Sequence, residues 1–158
     1  PIATHNRRIS DYCSWRGLLV ISGIATDSPG DNRHIIRSED GKCSLWAGAV
    51  DDLWKLGKPV GRGGPWKNTT VLAGEPSDPY LMTGYDRKSL TLSHEGKGNV
   101  TIRVEVDIDG NGNWMPYRSF DVPAGKPVEH RFDDSFAAYW LRVIADKGTI
   151  ATAQFPYE

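Results

Sequence analysis

Long apolar runs are missing from this sequence. None approaches the ~20 residues that a membrane-spanning helix needs, and no stretch of even ten residues has the 3.6-residue periodicity of an amphipathic helix. Cysteine is scarce. Cys13 and Cys43 are the only two, they form no Cys-x-x-Cys pair, and the four histidines are scattered, so no zinc-ligand spacing is present. The two cysteines fit either the disulfide of a secreted protein or a pair of buried free thiols. An excess of one charge is lacking too. Nineteen Lys and Arg against 20 Asp and Glu give a net charge of -1, which argues against non-specific binding to nucleic acid or an anionic membrane. The chain opens at Pro1 without a basic segment followed by an apolar one, and we expect it to be a processed or excised piece of a longer protein. Catalytic signatures are also missing. Ser14 and Ser22 have no nucleophile-elbow context. Asp51/Asp52 and Asp133/Asp134 are adjacent pairs, and neighbours along a strand point to opposite faces, so adjacency makes no acid–base site of them.

Two-residue periodicity is what the sequence does contain. Val100, Ile102, Val104 and Val106 alternate with Thr101, Arg103, Glu105 and Asp107, the pattern of a strand with one buried face. Leu90 and Leu92 do the same just before it. Tyr139, Leu141, Val143 and Ala145 alternate with Trp140, Arg142, Ile144 and Asp146, which predicts a strand covered in part on both faces. Thr149 to Phe155 is a further strand, with Lys147-Gly148 read as a tight hairpin turn between the two. Glu95 to Asn99, Ile108 to Asn113 and Pro123 to Pro127 carry turn chemistry. Strands spaced every eight to twelve residues from about Ser89 predict an antiparallel β-sandwich of six or so strands, jelly-roll or Ig-like. The earlier part reads differently. Gly17 to Ile24 is an apolar strand, Arg33–Arg37 and Cys43–Val50 a hairpin around Ser38-Glu39-Asp40-Gly41, and Asp51 to Leu56 a single helical turn. We expect an all-β chain with a small β-sheet unit at 1–60, a structured connector at 61–88 and the sandwich at 89–158.

Three sets of residues carry candidate chemistry. Asp107, Asp109, Asn111 and Asn113, with Gly110 and Gly112 between, have the texture of a calcium loop, since Ca²⁺ takes several hard oxygens. The twelfth position from Asp107 is Arg118 rather than the Glu of an EF-hand, and the same residues also suit an ordinary hairpin loop. Aromatics are dense, with six Trp, six Tyr and four Phe. Trp54, Trp66, Tyr80, Tyr85, Trp114 and Tyr117 lie in or beside loops, where a rigid ring can stack on the apolar face of a sugar. Trp46 and Trp140 lie within strands and are expected in the core. Arg7, Arg8, Arg16, Arg33, Arg37 and His34 form a basic set suited to carboxylates or to strand-end solvation. Asn68-Thr69-Thr70 and Asn99-Val100-Thr101 are glycosylation sequons if the source is a secreting eukaryote.

Ser38, Asp40, Gly41 and Trp46 match the residue types of the Asp-box of sialidase-like propellers, although Gly41 follows Asp40 directly and Trp46 comes late. Asp11–Gly17, His34–Ser38, Val50–Pro59, Gly63–Asn68 and Gly74–Tyr85, with Asp51-Asp52-Leu53-Trp54-Lys55-Leu56-Gly57-Lys58-Pro59 as the strongest run, resemble the C-terminal region of large secreted bacterial proteins built as β-propellers followed by a β-sandwich. Asp121–Gly125 and Ala138–Val143 fit the same pattern. The resemblance implies a candidate terminal propeller blade before the sandwich and a link to polysaccharide, with no catalytic residue to carry over. We therefore expect a secreted or cell-surface module that binds carbohydrate through Trp54, Trp66, Tyr80, Tyr85, Trp114, Tyr117, Arg37 and His34, or that supports a polysaccharide-active protein. Its partners would be a poly- or oligosaccharide and the N-terminal remainder of a longer chain. The alternatives are part of a propeller-type glycoside hydrolase or polysaccharide lyase that needs a further chain, and a purely structural or adhesion domain.

Overall fold

A computed structural model of the chain describes residues 3–4, 8–27 and 32–158. It is all-β, and its contacts divide it into two units, one of residues 2–58 and one from Pro59 to Glu158. Among the described residues no helix is long and apolar enough to cross a membrane.

The N-terminal unit is a four-stranded antiparallel sheet of β1 (Asp11–Trp15), β2 (Leu18–Ser22), β3 (Ile35–Arg37) and β4 (Ser44–Gly48). Arg16 and Gly17 both have positive φ (50° and 81°), the backbone of a two-residue hairpin turn. The order is β1-β2-β4-β3, so β4 lies between β2 and β3 and the sheet departs from the sequential order of a simple meander. The expected hairpin around residues 38–41 is present. Ser38 Oγ donates to Asp40 Oδ1 (2.7 Å) and accepts from the Cys43 amide (3.1 Å), so the residues of the Asp-box resemblance close the turn on itself. Ile21, Ile35 and Trp46 are cross-strand partners on one face and form the core with Ile24, Leu19, Leu53 and Leu56. The last two belong to a 3₁₀ turn, Val50–Lys55, and its end, where one helical turn was expected. Cys13 and Cys43 are free, and both are exposed rather than buried.

The second unit is a sandwich of two four-stranded sheets. The back sheet has the order β10-β7-β12-β5 and the front sheet β6-β11-β8-β9, with β5 Gly61–Val71, β6 Tyr80–Leu81, β7 Ser89–His94, β8 Val100–Asp107, β9 Trp114–Val122, β10 Val128–Arg131, β11 Trp140–Ala145 and β12 Thr149–Tyr157. The first strand pairs with the last, β6 with β11, β7 with β10 and β8 with β9. One long hairpin, with residues 108–113 at its tip, is rolled so that alternate segments fall in opposite sheets. This is the jelly-roll order. Leu90, Leu92, Ala151, Ala153 and Phe155 from the back sheet meet Ile102, Val104, Val122, Leu141 and Val143 from the front in one core. His94 Nε2 bonds the Val122 carbonyl (2.8 Å) and ties the sheets together at one end.

Two expectations change. Residues 61–88 supply β5 and β6 to the two sheets, so the sandwich has eight strands rather than six. The glycines that make this stretch look like a connector are steric accommodations. A Cβ on Gly61 would lie 3.0 Å from the Tyr85 hydroxyl, and one on Gly63 or Gly64 would collide with the Tyr80 hydroxyl or the Ala153 carbonyl. Lys147-Gly148 is also no hairpin turn, because β11 and β12 lie in different sheets. Their apolar residues face each other across the core instead of pairing edge to edge.

Candidate functional site

The site is the solvent face of the front sheet. In β8 the apolar half, Val100, Ile102, Val104 and Val106, is buried in the core, so Thr101, Arg103, Glu105 and Asp107 point outward. In β11, Leu141, Val143 and Ala145 point in, and Trp140, Arg142 and Ile144 point out. In β9 the register sets Trp114 opposite Asp107, Pro116 opposite Glu105, Ser119 opposite Arg103 and Asp121 opposite Thr101. Trp140 is the partner of Asp107 on the other side. Two indoles therefore flank Asp107 on neighbouring strands of one face.

Glu105 is the central group, 8% exposed. Its Oε1 accepts from Arg103 Nε (2.9 Å), and its Oε2 accepts from Arg142 Nε (2.8 Å) and Nη2 (2.7 Å). Charge-assisted bonds of this kind are the strong ones, and they fix both guanidinium planes. The Arg142 guanidinium also lies 4.4 Å from the centre of the Trp114 ring, a cation–π contact worth ~0.5–2 kcal/mol. Asp107 is 1% exposed. Its two oxygens accept the amides of Gly110 (3.0 Å) and Gly112 (2.8 Å), which holds the tip loop against the Trp end of the face. At the opposite end Thr101 is anchored twice, by its hydroxyl to Asp121 (2.9 Å) and by its amide to Asp146 (2.8 Å). There a shallow cavity of ≈ 170 Å³ is lined by Gly74, Thr101, Arg103, Ser119, Ile144, Ala145 and Asp146. From Thr101 to Asp107 the face runs about 20 Å at ~3.4 Å per residue, enough for a short chain of rings rather than a single one.

Of the residues proposed from sequence, Trp114 belongs to this face. Trp66 is 5% exposed and lies in the core opposite Ala153, so it cannot bind a ligand. Tyr80 and Tyr85 pack on Phe155 and Tyr157. Tyr117 is half-buried among Phe132, Phe136 and His130, with its hydroxyl bonded to His130 Nε2 at 2.9 Å. Burial raises the Tyr117 pKa. Trp54, His34 and Arg37 belong to the N-terminal unit. Trp54 is 63% exposed there. The His34 ring bonds the Ala47 carbonyl (3.0 Å), and its other nitrogen faces Asp52 at 3.8 Å. Arg37 Nε donates to the Thr26 carbonyl. Arg7 lies outside the described residues. Trp140, expected in the core, is half-buried on the front face.

The loop oxygens offered to calcium bond within the loop. Besides those of Asp107, Asp109 Oδ2 accepts from Asn111 Nδ2 (2.9 Å) and Asn111 Oδ1 from the Asn113 amide (3.0 Å). Among the described residues no group of three or more His, Cys, Asp or Glu could hold a metal ion. The residues missed from sequence, Arg103, Glu105, Trp140 and Arg142, are the outward halves of β8 and β11. Their signal was in the alternation, whose polar half passes for a solvated surface. No protein-family model and no curated protein matches this chain.

Proposed function

We propose that the chain is a carbohydrate-binding accessory module of a secreted or cell-surface, polysaccharide-active protein, and that it binds sugar chains on the front sheet. One observation carries the reading: Trp114 and Trp140 flank Asp107 on a sheet face beside two guanidinium planes held by Glu105. Indole and guanidinium planes stack on the apolar faces of sugar rings, and the surrounding Thr, Ser, Asp and Arg groups serve the hydroxyls. Jelly rolls also house lectin domains; that is fold analogy and carries less weight than the site. The resemblance to propeller-and-sandwich proteins supports the same polysaccharide link. Binding fits better than catalysis, because Glu105 and Asp107 are each engaged through both oxygens and neither is free to act as general acid or base. A hydrolase or lyase would have to draw its carboxylates from elsewhere.

The test is a glycan array probed with the full chain and with Trp114→Ala and Trp140→Ala. We expect binding to a polysaccharide family, weakened at least tenfold in each variant while each variant stays folded, with a melting temperature lowered by no more than a few degrees. No binding, or binding unaffected by both substitutions, overturns the reading.

A further inference from the structure

We infer that the front face selects a carboxylate-bearing sugar chain, with Arg103 as the residue that reads the carboxylate; this rests on the carbohydrate-binding reading above. At the centre of the face two guanidinium groups share one carboxylate, and both oxygens of Glu105 are already taken. Arg142 spends Nε and Nη2 on Glu105 and lays its plane on Trp114. Arg103 spends only Nε. Its two terminal nitrogens have no acceptor among the described residues, and Arg103 is one of the residues that line the ≈ 170 Å³ cavity. A guanidinium held by one bond at Nε, with its terminal nitrogens uncommitted at a residue that borders an open cavity, matches the two oxygens of a carboxylate.

The nearby acids do not occupy that fork. Asp121 and Asp146 are both bonded to Thr101, one residue pair along β8 from Arg103, or about 7 Å at ~3.4 Å per residue. Asp146, which lines the cavity, gives it a hydroxyl acceptor at its far end. The face is then graded from indoles through arginines to carboxylates, so a bound chain has one preferred direction.

The experiment compares polygalacturonate with its fully methyl-esterified form, which has the same backbone and no charge, and adds a neutral glucan as a third probe. We expect the free acid to bind at least tenfold tighter than the ester at low salt, with the preference shrinking as salt screens the pair. Arg103→Gln should bring the free acid down to the level of the ester, and Arg103→Lys should restore part of the difference. Equal binding of acid and ester, or a preference that survives in a folded Arg103→Gln, overturns the inference. Binding of the neutral glucan alone overturns it and leaves the binding site standing. Failure of all three probes, together with a blank array, overturns both.

Discussion

The back sheet shows solvent Ser89, Thr91 and Ser93 from β7 and Thr152 and Gln154 from β12, whereas the front sheet shows Trp114, Trp140, Arg103, Glu105 and Arg142. Both sheets bury the same kind of apolar surface in the same core, so the fold makes the same demand of each outer face: compatibility with water and with a strand. In its two central strands, β7 and β12, the back sheet meets it with small hydroxyl-bearing residues. The Thr152 hydroxyl donates to Asn68 Oδ1 (3.0 Å) and Gln154 Nε2 to the Trp66 carbonyl (2.8 Å). Its charged groups, Glu129 and Arg131, lie on the edge strand β10, where Arg131 pairs with Asp134 (2.9 Å). The front sheet carries far more side chain than solvation requires. Its planar groups are held by one another across three strands, and part of their hydrogen-bonding capacity is turned outward. Glu105 and Asp107 contribute to stability through their bonds, whereas the planar groups of Trp114 and Arg103 are more than a water-facing strand requires, which makes the outward half of the front sheet the candidate site.

The contrast can be broken by substitution. Glu105→Ala should have the largest effect, on the order of 2 kcal/mol from the unfolding free energy in urea, because it removes three charge-assisted bonds and strands two arginines, one of which resolvates easily. Asp107→Ala should cost somewhat less, ~1–2 kcal/mol, by leaving the Gly110 and Gly112 amides to water; adding calcium or EDTA to the parent chain should leave the melting temperature unchanged. Trp114→Ala should cost under ~1 kcal/mol of stability yet remove most of the glycan affinity. Thr91→Ala on the back sheet should stay within ~0.5 kcal/mol and leave affinity intact. A loss of affinity there would erase the distinction between the faces.

A pH titration sharpens the comparison by separating the core edge from the face. His130 is half-buried against Tyr117, Phe120 and Phe132, and desolvation there, followed by the nearby Arg118, holds its pKa below the ordinary 6.5. As pH falls through 6.5 the unfolded chain takes up this proton before the folded one does. His130 therefore lowers stability below pH 6.5, levels off once pH passes beneath its folded pKa, and has no effect above 6.5. The melting temperature should drop between pH 7 and pH 5, and His130→Gln should flatten that slope.

The sequence made some of this legible. Strand β8 was readable because four consecutive alternations of apolar and polar residues admit no other regular structure. The sandwich and its jelly-roll alternative followed from strand spacing. Strand β5 was not readable: its glycines exist for Tyr80, Tyr85 and the Ala153 carbonyl, which lie far along the chain and have no local trace. The turn at Lys147-Gly148 misled for a related reason, since a short link between strands does not reveal whether they pair or face each other across a core. For the candidate site, proximity to loops points to Trp114, which lies on the front face, and equally to Trp66, Tyr80 and Tyr85, all drawn into packing. The planar polar groups that complete the face sit within strands, where a charged outward residue usually means only solvation.

The six tryptophans provide the most direct test, because their indole N–H signals resolve in a ¹H–¹⁵N spectrum and they are spread over core, N-terminal unit and front face. The full chain should be titrated with the best-binding oligosaccharide from the array. The account predicts shifts at the indoles of Trp114 and Trp140 and along β8, β9 and β11, with Trp46 and Trp66 still. Shifts centred on Trp54 or Trp15, or on Thr91 and Ser93 of the back sheet, would contradict it.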